Sequence, residues 1–293
     1  MRRLVLAVVL LGLGVGCISP AGSIRGTAAM EIIKVDEGAF RPVPGKPIFV
    51  LVMGQDARPG EAQSRGDALH VIGINPAAHA ATILNIPRDT WTNIPGRGLD
   101  KINAANYYGG PQLQARAISA LVGVDIPIVL TTGFDGLADM IDELGGINVD
   151  VPVPMNDPKS GAIFPAGTIR MDGGAALAFA RNRSLPGGDF TRTQDQGILI
   201  LAGLSKLRDS APTAANTLKW MAVLARHTRF DGIGFGDLYR LGRLALTFDP
   251  SEVRNVTMPG TTGSTANQSV VFVGGSAPAL FADFRDDAIL QRS

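Results

Sequence analysis

Short apolar runs of strand length, each closed by turn residues and separated by stretches of helical periodicity, fill the chain from Lys46 onward. Ile48–Met53, Leu69–Ile74, Ala81–Ile86 and Ile126–Thr131 read as strands, several of them apolar on both faces as central strands are. Between them, Leu137, Met140, Ile141 and Leu144 fall on one helical face, with Asp135 placed to cap the helix and Gly145-Gly146 to end it. A second helix is predicted after Pro111 from Leu113, Ala117 and Leu121, and a third after Asp172 from Ala176, Leu177 and Ala180. A longer one covers roughly 194–208, and Val253–Met258, Ser269–Val273 and Ala277–Leu290 add two strands and a terminal helix. This alternation predicts an α/β fold, a single layered domain with a central mixed sheet flanked by helices.

Composition narrows the chemistry. At 293 residues and 45% hydrophobic the chain can bury a large core, and 36 glycines with 19 prolines favour tight turns over a helical bundle. The formal charge of +1 gives no field for nucleic acid, so any anion site must be local. Cys17 is the one cysteine, which excludes an internal disulfide framework. His70, His79 and His227 show no metal-ligand spacing, which disfavours zinc. No serine lies in a GxSxG turn, and the glycine pairs form neither GxGxxG nor a Walker loop.

Residues 1–17 have the layout of a secretory signal: Arg2 and Arg3, an apolar run from Leu4 to Val15, then small residues before Cys17. The run is shorter than the roughly 20 residues a conventional membrane-spanning helix needs. Export to the outer face of the cytoplasmic membrane or cell envelope is therefore expected. Cys17 is either the acylated residue of a lipoprotein leader or part of a discarded signal. Residues 18–46 read as a tether and 47–290 as the folded domain.

Charge is scarce, 18% of the chain, yet much of it collects in loops beside apolar strands, where an unpaired ion is costly. Asp56, Arg58, Arg65 and Asp67 border one loop; Arg88, Asp89 and Lys101 follow another strand end. Arg181 and Arg183 share a side if Asn182 is extended, and Arg192 and Gln196 share a face if a helix has begun. These basic residues exceed what the acids need as partners, and guanidinium forks suit the oxygens of a pyrophosphate. Asp56 and Asp67 are the candidates for a magnesium ion, which keeps several waters and takes ligands from substrate phosphate. The bland alternative is a set of ordinary Arg–Asp pairs closing loop ends.

In order along the chain, LVMGQDAR, RGDALHVIGINP, ILNIPRDTWTNIPG, DKINAANYYGGP, IDELGGINVDVP and ALAFARNRSLPGGDFTRTQDQ resemble the LytR-CpsA-Psr family over nearly the whole domain. The resemblance implies an extracytoplasmic phosphotransferase moving a glycopolymer from a polyprenyl-pyrophosphate carrier, held in an apolar groove at the membrane surface, to a hydroxyl of peptidoglycan or another cell-wall acceptor. It implies magnesium at Asp56 and Asp67 and a catalytic set of Asp67, Arg88 and Asp56. Arg65, Arg88, Arg181, Arg183, Arg192 and Gln196 would hold the pyrophosphate, with Arg58 and Lys101 beside them. Two positions depart from the family pattern: Gly66, commonly Ser or Thr, and Asp195, frequently basic, whose negative charge could weaken the clamp. A non-catalytic lipid-binding or wall-assembly protein, and a hydrolase of the same carrier, remain open as alternatives.

Overall fold

The computed structural model of the protein describes residues 30–35, 43, 45–55, 64–210, 228–234, 237, 242, 244, 245, 248–265 and 267–291. Strands β1 (Met30–Lys34), β2 (Ile48–Gln55), β3 (Gly66–Asn75) and β4 (Ala80–Asn85) are followed by a hairpin of β5 (Trp91–Ile94) and β6 (Gly98–Lys101). Helix α1 (Ala104–Val122), β7 (Ile128–Gly133) and α2 (Phe134–Glu143) come next. Four short strands, β8 (Ile147–Val151), β9 (Met155–Asp157), β10 (Ala162–Phe164) and β11 (Gly167–Met171), then pair β8 with β11 and β9 with β10. Helices α3 (Gly173–Arg181) and α4 (Asp189–Ser210), β12 (Thr228–Asp231), β13 (Arg254–Thr257), the hairpin β14 (Gly260–Thr265) with β15 (Gln268–Val273), and α5 (Ala277–Asp287) complete the described chain.

Seven strands make the central sheet, in the order β12-β1-β7-β2-β3-β4-β13. Neighbours β1–β7, β2–β3 and β3–β4 are antiparallel, whereas β1–β12, β2–β7 and β4–β13 are parallel, so the sheet is mixed as expected. Period-two alternation sends Phe49, Leu51 and Met53 to one face and Ile48, Val50 and Val52 to the other. The first face is sealed by α1 and α5, whose Leu113, Ile118, Phe281 and Phe284 share a core with Leu69, Val71 and Leu84. Gly73 makes room for it: a Cβ there would lie 2.8 Å from the Phe284 ring.

The second face is covered less evenly. Ile200, Leu201 and Leu204 of α4 pack on the Ile74–Ile83 side of the sheet, while Ile141, Val149, Met171, Phe179 and Leu199 gather α2, α3, α4 and the β8–β11 pair into a core of their own. Leu130, Val52 and Ile72, on the adjacent strands β7, β2 and β3, are half-buried in the middle of the sheet, Leu130 against a cluster of Ile32, Ile48, Val50 and Ile128, and Ile72 against Ile74 and Ile83. Val52 lies opposite His70, on the strand whose start carries Asp67.

Several expectations need correction. Met30–Lys34, read as tether, is a strand paired on both sides inside the central sheet, so the fold reaches upstream of residue 47. Asp135 lies in the first turn of α2, and the cap position is Gly133, without a side-chain bond. By contrast Asp172 does cap α3, accepting from the Ala175 amide at 2.8 Å. Helix α1 starts before Pro111 and is broken at Gly109-Gly110, where Gly110 has φ 66°; Pro111 opens its second half. Helix α4 begins at Asp189, five residues before the expected start at Gln194. Cys17 and His227 lie outside the described residues.

Candidate functional site

Asp67 owes its position to a β-bulge. The β2–β3 register runs from Gly54 opposite Ala68 to Gln55 opposite Gly66, skipping Asp67. A bulge re-aims the side chain it carries. Gly66 faces the α1 side, where a Cβ would lie 3.0 Å from the side-chain ends of both Met53 and Leu69 and 3.2 Å from Gln114, so a larger residue there needs those side chains to give by a few tenths of an ångström. Asp67 ion-pairs with the Arg88 guanidinium, and its carbonyl accepts from Arg192 Nη2 at 3.4 Å.

Arg88 stands just past the end of β4 on a loop fixed by backbone bonds. Thr90 N donates to Pro87 O at 3.0 Å, Ile102 N to Thr90 O at 2.8 Å and Asn103 N to Arg88 O at 3.2 Å. Burial opposes the Arg88 charge, but the Asp67 carboxylate, with Asp89 and Asp189 behind it, outweighs that and raises its pKa. Arg192 is in the first turn of α4, almost fully buried, with Asp189 at 2.6 Å. Burial lowers its pKa to about 10, and the guanidiniums of Arg183 and Arg88 add to that depression while Asp189 resists it. It remains cationic at neutral pH, in a cluster of positive charge that an anion would relieve.

Arg183 is exposed and reaches Asp189 at 3.9 Å. Asn182 is extended, at φ −59° and ψ 131°, yet its flanking arginines find different partners, since the Arg181 guanidinium lies 4.6 Å from the Phe134 ring centroid. Gln196, one turn after Arg192, donates from Nε2 to Ala180 O at 3.1 Å and so ties α4 to the end of α3. Lys101 pairs with Asp89 at 3.2 Å beside the cluster, and Arg65 is exposed at the entry to β3. Asp56 and Arg58 lie outside the described residues. The cluster that forms is thus Asp67, Arg88, Arg183, Asp189 and Arg192, with Gln196, Lys101 and Arg181 on its borders. Within it the Nε atoms of Arg88 and Arg192, Asp189 Oδ2 and Gln196 Oε1 are buried without hydrogen-bond partners, a costly arrangement for a site with no ligand to meet.

A buried polar relay underlies the site, and sequence reasoning missed it. His70 Nδ1–H donates to Asn85 Oδ1 at 2.7 Å; Asn85 Nδ2 donates to Asn255 Oδ1 at 2.7 Å; Asn255 Nδ2 donates to Gln194 O at 2.9 Å. Burial holds the His70 pKa down to about 4, so the ring is neutral. The relay fastens the first turns of α4, with Arg192, to β3, β4 and β13. Its signal was an inward-facing His and Asn inside otherwise apolar runs. Asp189 was missed too, although an acid three residues before Arg192 is a helical pair.

Asp195 is buried in α4 with Oδ2 unpartnered, and burial pushes its pKa up to about 7. The negative charge expected there is therefore much reduced at neutral pH. No group of three or more His, Cys, Asp or Glu side chains able to hold a metal occurs among the described residues.

A family model for LytR-CpsA-Psr proteins matches residues 26–281. The chain belongs to the LytR-CpsA-Psr family. The match includes Met30–Lys34, in keeping with the paired strand there. Among LytR-CpsA-Psr relatives, the probable cell wall biosynthesis protein LcpB of Corynebacterium glutamicum is 30% identical over 269 residues, 91% of this chain and 64% of that protein. TagU of Bacillus mycoides, a polyisoprenyl-teichoic acid–peptidoglycan teichoic acid transferase, is 36% identical over 163 residues, 55% of this chain and 53% of TagU. The chain thus spans 64% and 53% of the lengths of these two curated relatives. In three dimensions the crystal structure of Bacillus subtilis TagV superposes with a TM-score of 0.68 at 25% identity, covering 82% of this chain and 95% of TagV.

Proposed function

We propose that this LytR-CpsA-Psr chain is an extracytoplasmic phosphotransferase that moves a glycopolymer from a polyprenyl-pyrophosphate carrier to a hydroxyl of the cell wall. One observation carries the reading: the guanidiniums of Arg88, Arg183 and Arg192 converge beside Asp67, on a sheet whose second face carries the half-buried Leu130, Val52 and Ile72. A carrier with an apolar tail and a doubly charged head matches that pairing of surfaces. The names of LcpB and TagU, a cell wall biosynthesis protein and a teichoic acid transferase, support the same substrate class and an envelope location. Among the described residues no helix is long and apolar enough to cross a membrane.

In the reaction, the acceptor oxygen bonds to the sugar-side phosphorus, the bond from that phosphorus to the bridging oxygen breaks, and polyprenyl phosphate leaves with the bonding pair. The acceptor proton passes to a base or to solvent, and the product is a phosphodiester. Arg192, held in place by Asp189 and by its buried setting, faces the pyrophosphate with a fixed donor fork. Arg88 supplies a second fork, oriented by Asp67; Arg183 closes from the exposed side. Magnesium belongs to the proposal: Asp67 offers the hard carboxylate oxygen such an ion takes, and with Asp56 it would hold the metal. When bound, the ion offsets charge on the transferring phosphoryl group.

The test is the affinity of the purified protein for a polyprenyl pyrophosphate. Losing one charged hydrogen bond costs about 1.5–3 kcal/mol, so Arg192→Ala and the exposed Arg183→Ala are each expected to weaken binding by roughly ten- to a hundredfold. Native affinity in both variants would contradict the clamp.

A further inference from the structure

Beyond the Asp89–Lys101 pair, the β5–β6 hairpin and the first turn of α1 present a surface that the clamp does not use. Tyr107 and Tyr108 are 47% and 38% exposed there. Single exposed apolar side chains are ordinary, but these are consecutive aromatic rings in contact with each other. The Tyr108 hydroxyl donates to Asp100 Oδ2 at 2.8 Å, and the Arg97 guanidinium lies 5.1 Å from the same ring. Tyr107 meets Tyr108 edge-on, with centroids 5.8 Å apart at 74°. A ring tied as Tyr108 is loses little further freedom when a ligand settles on it.

The surface is continuous with the clamp. Lys101 closes β6 and pairs with Asp89, the residue after Arg88, while the Asn103 amide bonds the Arg88 carbonyl. On the other side Asn106 Nδ2 donates to Ser64 O at 2.8 Å, which seats Arg65 between the tyrosines and the bulge at Asp67. Through Asp100 and Lys101 the tyrosines thus adjoin the loop that carries Arg88.

We infer that Tyr107, Tyr108, Arg97 and Asp100 form an acceptor subsite that seats a glycan chain and directs one of its hydroxyls to the Arg88–Arg192 clamp. Aromatic rings take up the apolar faces of pyranose sugars, and a carboxylate beside a guanidinium supplies both an acceptor and donors for their hydroxyls and amides. Asp100 and the near-zero net charge argue for a sugar chain over a nucleic acid on the same rings. The inference rests on the transferase reading.

The experiment titrates the full chain with a β-1,4-linked N-acetylglucosamine tetramer, by calorimetry, and separately with a polyprenyl pyrophosphate. Tyr107→Ala replaces an exposed residue with a good helix former, so folding is not at stake. It should weaken tetramer binding about tenfold or more, on the scale of one lost ring contact, and leave carrier binding as in the native chain. Tyr108→Phe, which keeps the ring, should retain most of the affinity. A native protein that ignores the tetramer, or a Tyr107→Ala variant that binds it normally, would overturn the subsite. Failure to bind the carrier would instead overturn the transferase reading, and the tetramer titration would still report on this surface.

Discussion

Asp195 carries an unpartnered carboxyl oxygen inside α4, and burial raises its pKa from 3.8 to about 7. Across that window the folded chain holds a proton that the unfolded chain has released. The contribution to stability is therefore full below about pH 3.8, falls as pH rises and is lost above about pH 7, a change on the order of a few kcal/mol. Asp195→Asn should flatten the dependence, so that thermal unfolding at pH 5 and pH 8 differs less than in the native chain; an undiminished difference would assign the effect elsewhere. At this scale the sequence was informative where charge was scarce. Asp67, Arg88, Arg183 and Arg192 stood out because strand-end loops hold so few reasons for ions, and they do meet. His70, Asn85 and Asn255 did not stand out, since a neutral polar residue in an apolar run has no partner legible in one dimension; only the β3–β4 and β4–β13 registers bring them together. Nor did any pattern predict the bulge that turns Asp67 toward Arg88, because a bulge depends on the opposing strand.

Helix α4 is the element on which the site depends, because it carries Asp189, Arg192 and Gln196 and touches the sheet through the polar relay. Gly197 allows that contact: a Cβ there would lie 2.2 Å from Asn255 Oδ1. Gly197→Ala gains helix propensity of about 1 kcal/mol, but it must push Asn255 away from Asn85 and Gln194, and overpacking of this kind costs about 1–3 kcal/mol. A lower unfolding midpoint and weaker carrier binding are expected. Adding Asn255→Ala removes the clash, so the double variant should be less unstable than the two single effects combined; strict additivity would mean that the two residues do not press on each other. Strands with apolar runs and helices with a sharp stop, such as α2 before Gly145-Gly146, were legible. The strand Met30–Lys34 was not, because five residues among prolines, glycines and isolated charges carry no period of their own, and their strand state comes from pairing with β7 and β12.

In the whole molecule, one sheet face is sealed by α1 and α5, while the other carries the half-buried Leu130, Val52 and Ile72 on strands that lead to the cationic cluster. One face stabilises the domain; the other is the one on which the proposed carrier, greasy and anionic, would be received. Sequence could establish that the central strands are apolar on both sides, but whether the second side is packed or open depends on how α2, α3 and α4 lie across it. The measurement that bears most directly on this account is incubation of the purified protein with a polyprenyl-pyrophosphoryl oligosaccharide, magnesium and peptidoglycan fragments, with products identified by mass spectrometry. The account predicts a phosphodiester-linked adduct and free polyprenyl phosphate from the native chain, and at least a hundredfold less from Asp67→Asn, on the scale of losing one electrostatic group at such a centre. Tight carrier binding with no adduct, or free sugar phosphate alone, would contradict it.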